Sequence, residues 1–227
     1  MKYKNIIFDL DNTILDFDYA EEHALKNLLN DYNIEYNEEN LKIYRSVNRP
    51  LWRKLEKGEI TRDELFSTRF PIFFSKFNIK TNGNLELIYR SYLAKYGTIF
   101  IPHADEVLHK LKNSGYNLYL ATNGFSDTQI SRIKNSGLNN IFDDIFISED
   151  IGYDKPNINF YKYIEQKLKI KDKSSFLMIG DNESSDIKGA INFGIDSILF
   201  NHKNSFTNSS ATFIIDDLEE IYNILGV

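Results

Sequence analysis

Asp9-Leu10-Asp11-Asn12-Thr13 closes the first apolar run of the chain and sets two carboxylates two residues apart. On extended backbone alternate side chains fall on one side, so Asp9 and Asp11 share a side. One can attack there while the other moves a proton. Three more polar clusters follow: Thr122-Asn123-Gly124, Lys155-Pro156, and Gly180-Asp181-Asn182-Glu183-Ser184-Ser185-Asp186. Taken singly, an acid after a strand reads as a turn or a helix cap, and a lone lysine as a solvated one. Asp9 resists that reading, because an unpaired carboxylate inside an apolar run is costly and demands a cation or hydrogen-bond donors. Clustered carboxylates repel unless a divalent ion bridges them, and an all-oxygen donor set selects a hard ion such as Mg²⁺. A nucleophile, a proton carrier, a lysine and a hydroxyl make the inventory of phosphoryl transfer.

The elements that must bring these clusters together are legible in the apolar rhythm. Asn5 to Leu10 reads as a buried strand. From His103 onward, predicted helices Ala104 to Asn113, Asp127 to Ser136, Ile158 to Leu168 and Ser184 to Phe193 alternate with predicted strands. Those strands are Leu118 to Thr122, Asp144 to Ser148, Phe176 to Ile179 and Asp196 to Phe200. A short strand Thr212 to Ile215 and a last helix close the chain. Such alternation predicts an α/β fold, a doubly wound parallel sheet with helices on both faces. Ligands of these sheets sit beyond the carboxyl ends of the strands, which is where all four clusters fall.

Between Tyr19 and Tyr96 the spacing is helical instead, through Ala20, Ala24, Leu25, Leu28, Leu29, then Leu41, Tyr44, Leu51, Leu55, then Leu65, Phe66, Phe70, Phe73 and Phe77. Pro50 and Pro71 are expected to kink or break helices here, and Thr61 to Glu64 reads as a capping box after Gly58. The predicted organisation is a catalytic core of residues 1–16 and 97–227 with a helical cap, 17–96, inserted after the first strand.

With 227 residues, 42% hydrophobic and 26% charged, the chain can bury a core without staples. It contains no cysteine, which excludes thiolate zinc sites, iron-sulfur clusters, cysteine nucleophiles and disulfides. Lys plus Arg number 27 against 33 Asp plus Glu, a net charge of −6 with no basic stripe, so a nucleic acid polymer is a poor partner. No apolar run approaches a membrane span or a secretory signal, and a cytoplasmic location is expected. The expected partner is a small-molecule phosphate ester, bound by a monomer or a homodimer.

The order Asp-x-Asp-x-Thr, strand-end Thr, Lys-Pro and Gly-Asp-x-x-x-x-Asp resembles the haloacid dehalogenase-like (HAD) superfamily of hydrolases with a helical cap. Asp11 marks the phosphatase branch, since true dehalogenases lack an acid there. Asn48-Arg49-Pro50-Leu51-Trp52, Leu55-Glu56-Lys57-Gly58-Glu59-Ile60-Thr61, Thr122-Asn123-Gly124 and Ser148-Glu149-Asp150-Ile151-Gly152 further resemble the bacterial noncanonical pyrimidine 5′-nucleotidases. The resemblance implies that Asp9 is the nucleophile and a Mg²⁺ ligand. It implies that Asp11 is the acid and base and touches the metal through its carbonyl, and that Asp181 is a second carboxylate ligand. Asp186 would support the metal's water shell or hold Lys155. Thr122 and the Asn123 amide would bind phosphate, Lys155 would offset the charge, and Thr13 would brace the loop. In the cap, Asn48, Trp52 and Arg53 are the candidates for substrate choice; Trp52 reads equally as a base-stacking ring or as a core anchor.

The motifs leave the leaving group open. A phosphatase for sugar phosphates, phosphoglycolate or pyrophosphate, or a phosphomutase, would carry the same core, and a phosphate-binding protein without turnover is the reading from another class. No His-Glu-x-x-His or Gly-x-Gly-x-x-Gly pattern is present, so metalloprotease and dinucleotide-dehydrogenase readings lack their parts.

Overall fold

Alternation along the first strand sorts its side chains onto two faces. Ile6 and Phe8 join one hydrophobic cluster, with Leu118, Leu120, Leu177 and Ile179, while Ile7 joins another, with Tyr119, Ala121, Phe176 and Met178. Two buried faces require cover on both sides, and the chain supplies it. In the computed structural model, which describes residues 2–81, 84–204 and 206–227, the strands are β1 (Asn5–Phe8), β2 (Asn117–Thr122), β3 (Asp144–Ile147), β4 (Phe176–Gly180), β5 (Asp196–Phe200) and β6 (Phe213–Ile215). They pair in parallel in the order β3-β2-β1-β4-β5-β6, a doubly wound sheet. The order reverses between β1 and β4, and in doubly wound sheets ligands bind beyond the carboxyl ends of the strands at such a switch point.

The chain divides into two compact units, Met1–Phe17 with Thr98–Val227, and Asp18–Gly97. The second holds helices α1 (Phe17–Asp31), α2 (Glu38–Glu56), α3 (Arg62–Ser75) and α4 (Leu85–Tyr96). Asn37 caps α2, and Thr61 with Glu64 forms a reciprocal capping box on α3. Phe70, Phe73, Phe74, Tyr44 and Tyr89 are buried against one another. Phe70, Phe73 and Phe74 are therefore packing of this unit's interior. Pro50 and Pro71 do not break their helices; each lies inside one, α2 and α3. Both prolines are exposed, so the carbonyls that lose an amide partner one turn earlier stay within reach of water.

In the first unit the sheet alternates with α5 (Ala104–Asn113), α6 (Ser126–Asn135), α7 (Ser148–Ile151), α8 (Ile158–Leu168), α9 (Lys188–Phe193) and α10 (Ile221–Leu225). The helix expected over Ser184 to Phe193 is α-helical only in α9; the chain before it, Glu183–Ile187, is a π-helix. Residues 14–16 and 99–101 run side by side, with Asp16 N donating to Ile99 O (2.8 Å) and Ile101 N to Ile14 O (2.9 Å). That pairing fixes the points at which the chain leaves this unit and returns to it.

Candidate active site

Asp9 follows β1 and Asp181 follows β4, so the switch point sets them side by side. The Asp9 amide still donates to Ile179 O of β4 (2.8 Å), which holds the residue to the sheet beyond the last paired position. The next turn is made by Asn12 in left-handed backbone (φ 59°), a conformation asparagine tolerates. Its side chain accepts from Phe17 N (3.1 Å). Thr13 is fully buried, and its hydroxyl bonds to no protein atom among the described residues, so any support it lends the loop comes from packing.

Lys155, 1% exposed, is the centre of the cluster. Its ammonium donates to Asp9 Oδ1 (2.7 Å), Asp186 Oδ1 (2.6 Å) and Ala121 O (2.7 Å). All three of its protons are thereby used. The backbone of Lys155 is fixed as well, because the Asn123 side chain donates to its carbonyl and accepts from its amide, both at 2.8 Å. The second Asp186 oxygen accepts from Asn182 N (3.1 Å). Gly180 is required here, since a Cβ would collide with the Asp186 carboxylate.

Asp9, Asp181 and Asp186 bring carboxylate oxygens within 4.8 Å of one another. Burial, reinforced by Asp186 and Asp11, pushes the Asp9 carboxyl up to about 7 despite the Lys155 ammonium. Burial and then the Asp9 and Asp186 charges push Asp181 well above the usual carboxylate range. Asp181 has neither a hydrogen bond nor an ion pair among the described residues, and Asp9 keeps Oδ2 unbonded. This donor set fits a hard divalent cation: several oxygens, no nitrogen or sulfur, and acids that cannot all ionise without added positive charge. Asp186 is committed to Lys155 and Asn182, so the oxygens that can face a cation are those of Asp9 and Asp181.

Asp11 is held from the other side. Arg132, 1% exposed, donates to Asp11 Oδ1 (2.5 Å), and Gln129 donates to Asp11 Oδ2 (3.0 Å) and to Thr122 Oγ1 (2.8 Å). The sequence reading missed Arg132 and Gln129. The available signal was a charged and an amide side chain three residues apart on a helix that directly follows a site loop, a spacing that puts both on one face.

The structure thus brings together Asp9, Asp11, Thr122, Asn123, Lys155, Asp181 and Asp186. Asn48, Trp52 and Arg53 lie on α2 of the helical unit. Asn48 is buried, and its side chain donates to Glu21 (3.4 Å) and accepts from Arg69 (3.1 Å), so its amide is engaged inside that unit. Trp52 is half-buried and Arg53 exposed.

A doubly wound sheet with buried acids at its switch point, a buried lysine bonded to Asp9 and an all-oxygen donor set defines a hydrolase core of the haloacid dehalogenase type. The family model "Haloacid dehalogenase-like hydrolase" matches residues 6–200, and the chain belongs to that family. It is 37% identical over 228 residues to the pyrimidine 5′-nucleotidase PynA of Streptococcus pneumoniae, covering 99% of this chain and 96% of the relative. It is 31% identical to the pyrimidine 5′-nucleotidase YjjG of Escherichia coli, covering 99% of each. The solved structure of the HAD-hydrolase YfnB of Bacillus subtilis, bound to magnesium, superposes with a TM-score of 0.93 at 36% identity, covering 100% of both chains. No helix among the described residues is long and apolar enough to cross a membrane.

Proposed function

We propose that this protein is a Mg²⁺-dependent phosphoric monoester hydrolase working through an aspartyl phosphate, with pyrimidine nucleoside 5′-monophosphates as substrates. The observation that carries the reading is the Asp9 carboxylate, buried, bonded through one oxygen to Lys155 and open at the other, amid more acids than its cations balance. Asp9 Oδ2 attacks phosphorus, the ester P–O bond breaks, and the leaving oxygen takes a proton from Asp11. A water then gives a proton to Asp11 and attacks the aspartyl phosphate, releasing inorganic phosphate and restoring Asp9. The Thr122 hydroxyl and the Asn123 backbone N–H donate to phosphate oxygens, while Lys155 holds Asp9 against repulsion by the incoming dianion. Asp9, Asp181 and the Asp11 carbonyl would hold Mg²⁺, which supplies positive charge to offset the carboxylates and the phosphate oxygens. Asp186 keeps Lys155 in place.

The substrate assignment is supported by full-length similarity to two relatives named pyrimidine 5′-nucleotidases. Within the helical unit, Trp52 and Arg53 are the side chains whose replacement tests substrate preference. The experiment is phosphate release from UMP, dUMP, dTMP, purine nucleotides, sugar phosphates, phosphoglycolate and pyrophosphate, with Mg²⁺ or with chelator. Mg²⁺-dependent release that is fastest with the pyrimidine nucleotides is expected. A stronger preference for a non-nucleotide would overturn the substrate while keeping the chemistry, and no metal-dependent release from any of them would overturn both.

A further inference from the structure

Two buried side chains of α6 have no part in the mechanism as derived above, yet they touch two groups that do. Arg132 Nη1 donates both to Asp11 Oδ1 (2.5 Å) and to Gln129 Oε1 (2.7 Å). Gln129 Nε2 donates both to Asp11 Oδ2 (3.0 Å) and to Thr122 Oγ1 (2.8 Å). We propose that Arg132 and Gln129 are positioning residues that aim the Asp11 carboxyl at the leaving oxygen and turn the Thr122 hydroxyl proton toward phosphate. The proposal rests on the phosphatase reading and adds to it the device that fixes the proton carrier.

The chain of contacts has one consistent direction. A guanidinium can only donate, so the amide end of Gln129 that faces Arg132 must be its oxygen, and the nitrogen must face Asp11 and Thr122. That nitrogen carries two protons and has two acceptors. The Thr122 oxygen, accepting from Gln129, keeps its own proton, and its hydroxyl donates to no residue among those described. The proton is therefore left for an oxygen of the substrate. Asp11 receives one donor on each carboxylate oxygen, so rotation about its side-chain torsions would break a bond on either side. The same fixed position serves both half-reactions, in which Asp11 first releases a proton and later takes one from water.

The surroundings are shaped for this network. Gln129 is 2% exposed and Arg132 1%. A Cβ at position 124 would collide with the Gln129 side chain, so Gly124 is the residue that lets Gln129 lie against the end of β2. The Arg132 guanidinium also lies 5.6 Å from the ring centre of Phe17. Asp9 and Asp11 thus have separate cations, Lys155 and Arg132.

The test compares leaving groups. An alkyl leaving oxygen needs a proton, whereas p-nitrophenolate leaves without one. First-turnover rates are measured by rapid quench with UMP and by the p-nitrophenolate burst with p-nitrophenyl phosphate, and the ratio of the two is read. In Asp11→Asn the UMP to p-nitrophenyl ratio should fall about a hundredfold or more, the scale of general acid catalysis. Gln129→Met, which removes the donors at similar volume without burying a charge, should lower the ratio about tenfold, and inhibition by inorganic phosphate should weaken severalfold. Arg132→Lys, which keeps the charge and loses the fork, is the second variant and should fall between Gln129→Met and wild type. If Asp11→Asn changes the ratio while both α6 variants leave it at the wild-type value, the positioning role is wrong and the phosphatase reading stands. If Asp11→Asn itself leaves the ratio unchanged, the acid assignment fails and takes the proposal with it.

Discussion

Two largely buried polar clusters, one in each unit, are both built from carboxylates and cations and differ in their charge balance. In the helical unit Glu21 accepts from Arg45 (2.7 Å), and Glu86 accepts from Arg69 through both its oxygens (2.7 and 2.5 Å), with Asn48 bridging the pairs. Glu21 and Glu86 face two guanidiniums and are balanced by them, and Arg45 reaches a more exposed acid, Asp18, at 3.9 Å. In the core Asp9, Asp11, Asp181 and Asp186 stand with two ion-paired cations, Lys155 and Arg132, and Lys203 acts on Asp181 only weakly, so the acids outnumber the cations bonded to them. A balanced, fully bonded cluster orders an interior, since each charge is compensated where it sits. A cluster with more acids than bonded cations suits a divalent ion, and burial together with the neighbouring acids raises the Asp9 and Asp181 carboxyls. The first cluster holds a fold and the second is suited to chemistry.

Single substitutions should therefore fail in opposite ways. Asp9→Asn should lower phosphate release by about a thousandfold or more, about 4 kcal/mol of barrier, with the thermal midpoint near wild type. Appreciable turnover in that variant would place the nucleophile elsewhere. Arg69→Met strands Glu86 and should destabilise the helical unit by about 3–5 kcal/mol. The one tryptophan of the chain, Trp52, lies in this unit, so urea unfolding followed by its fluorescence reads the effect directly. A loss below about 1 kcal/mol would show that the ionic cluster is dispensable. Mg²⁺ at about a hundred times its dissociation constant should stabilise the core by about 2.7 kcal/mol, read as a rise in the thermal midpoint that chelator reverses. Asp181→Asn should abolish most of that rise, whereas Arg69→Met should leave it in place; the opposite pattern would remove the distinction between the two clusters.

The smallest effect sharpens the comparison from outside both clusters. Hydrogen bonds from Lys2 and then Tyr3 hold the Asp196 carboxyl below its ordinary value. A depressed folded-state value means that the stabilisation is complete above the unfolded carboxylate range and is lost as pH falls through the lower folded value. The Lys2 ammonium lies in water, so solvent screens the pair and its worth is small. Asp196→Asn should flatten the stability profile below about pH 4 while leaving neutral-pH activity near wild type. An unchanged acid limb would show that the contact carries no energy.

Local pattern was enough for much of the fold. Strand Asp196 to Phe200 and helices Ala104 to Asn113 and Ile158 to Leu168 are found where apolar periodicity puts them, and Thr61 to Glu64 is a capping box as its sequence implies. Of the kink or break expected at Pro50 and Pro71, the break does not occur, because a proline on an exposed helix face leaves the freed carbonyl to water and need not end the helix. Local pattern also could not show that the Asn48 amide is engaged by Glu21 and Arg69, which belong to two other helices.

What the sequence determined by itself is the chemistry on offer: acids, a lysine and a hydroxyl at the ends of successive strands, an inventory that period-two and period-3.6 apolar rhythms suffice to locate. Which of those groups touch was decided only by the tertiary structure. Lys155 reaches Asp9 across 146 positions of chain, and Arg132 reaches Asp11 across 121. Such contacts depend on strand order, on register and on the rotation of α6 about its axis. No window of neighbouring residues contains these, because they are set by the packing of the whole sheet against its helices.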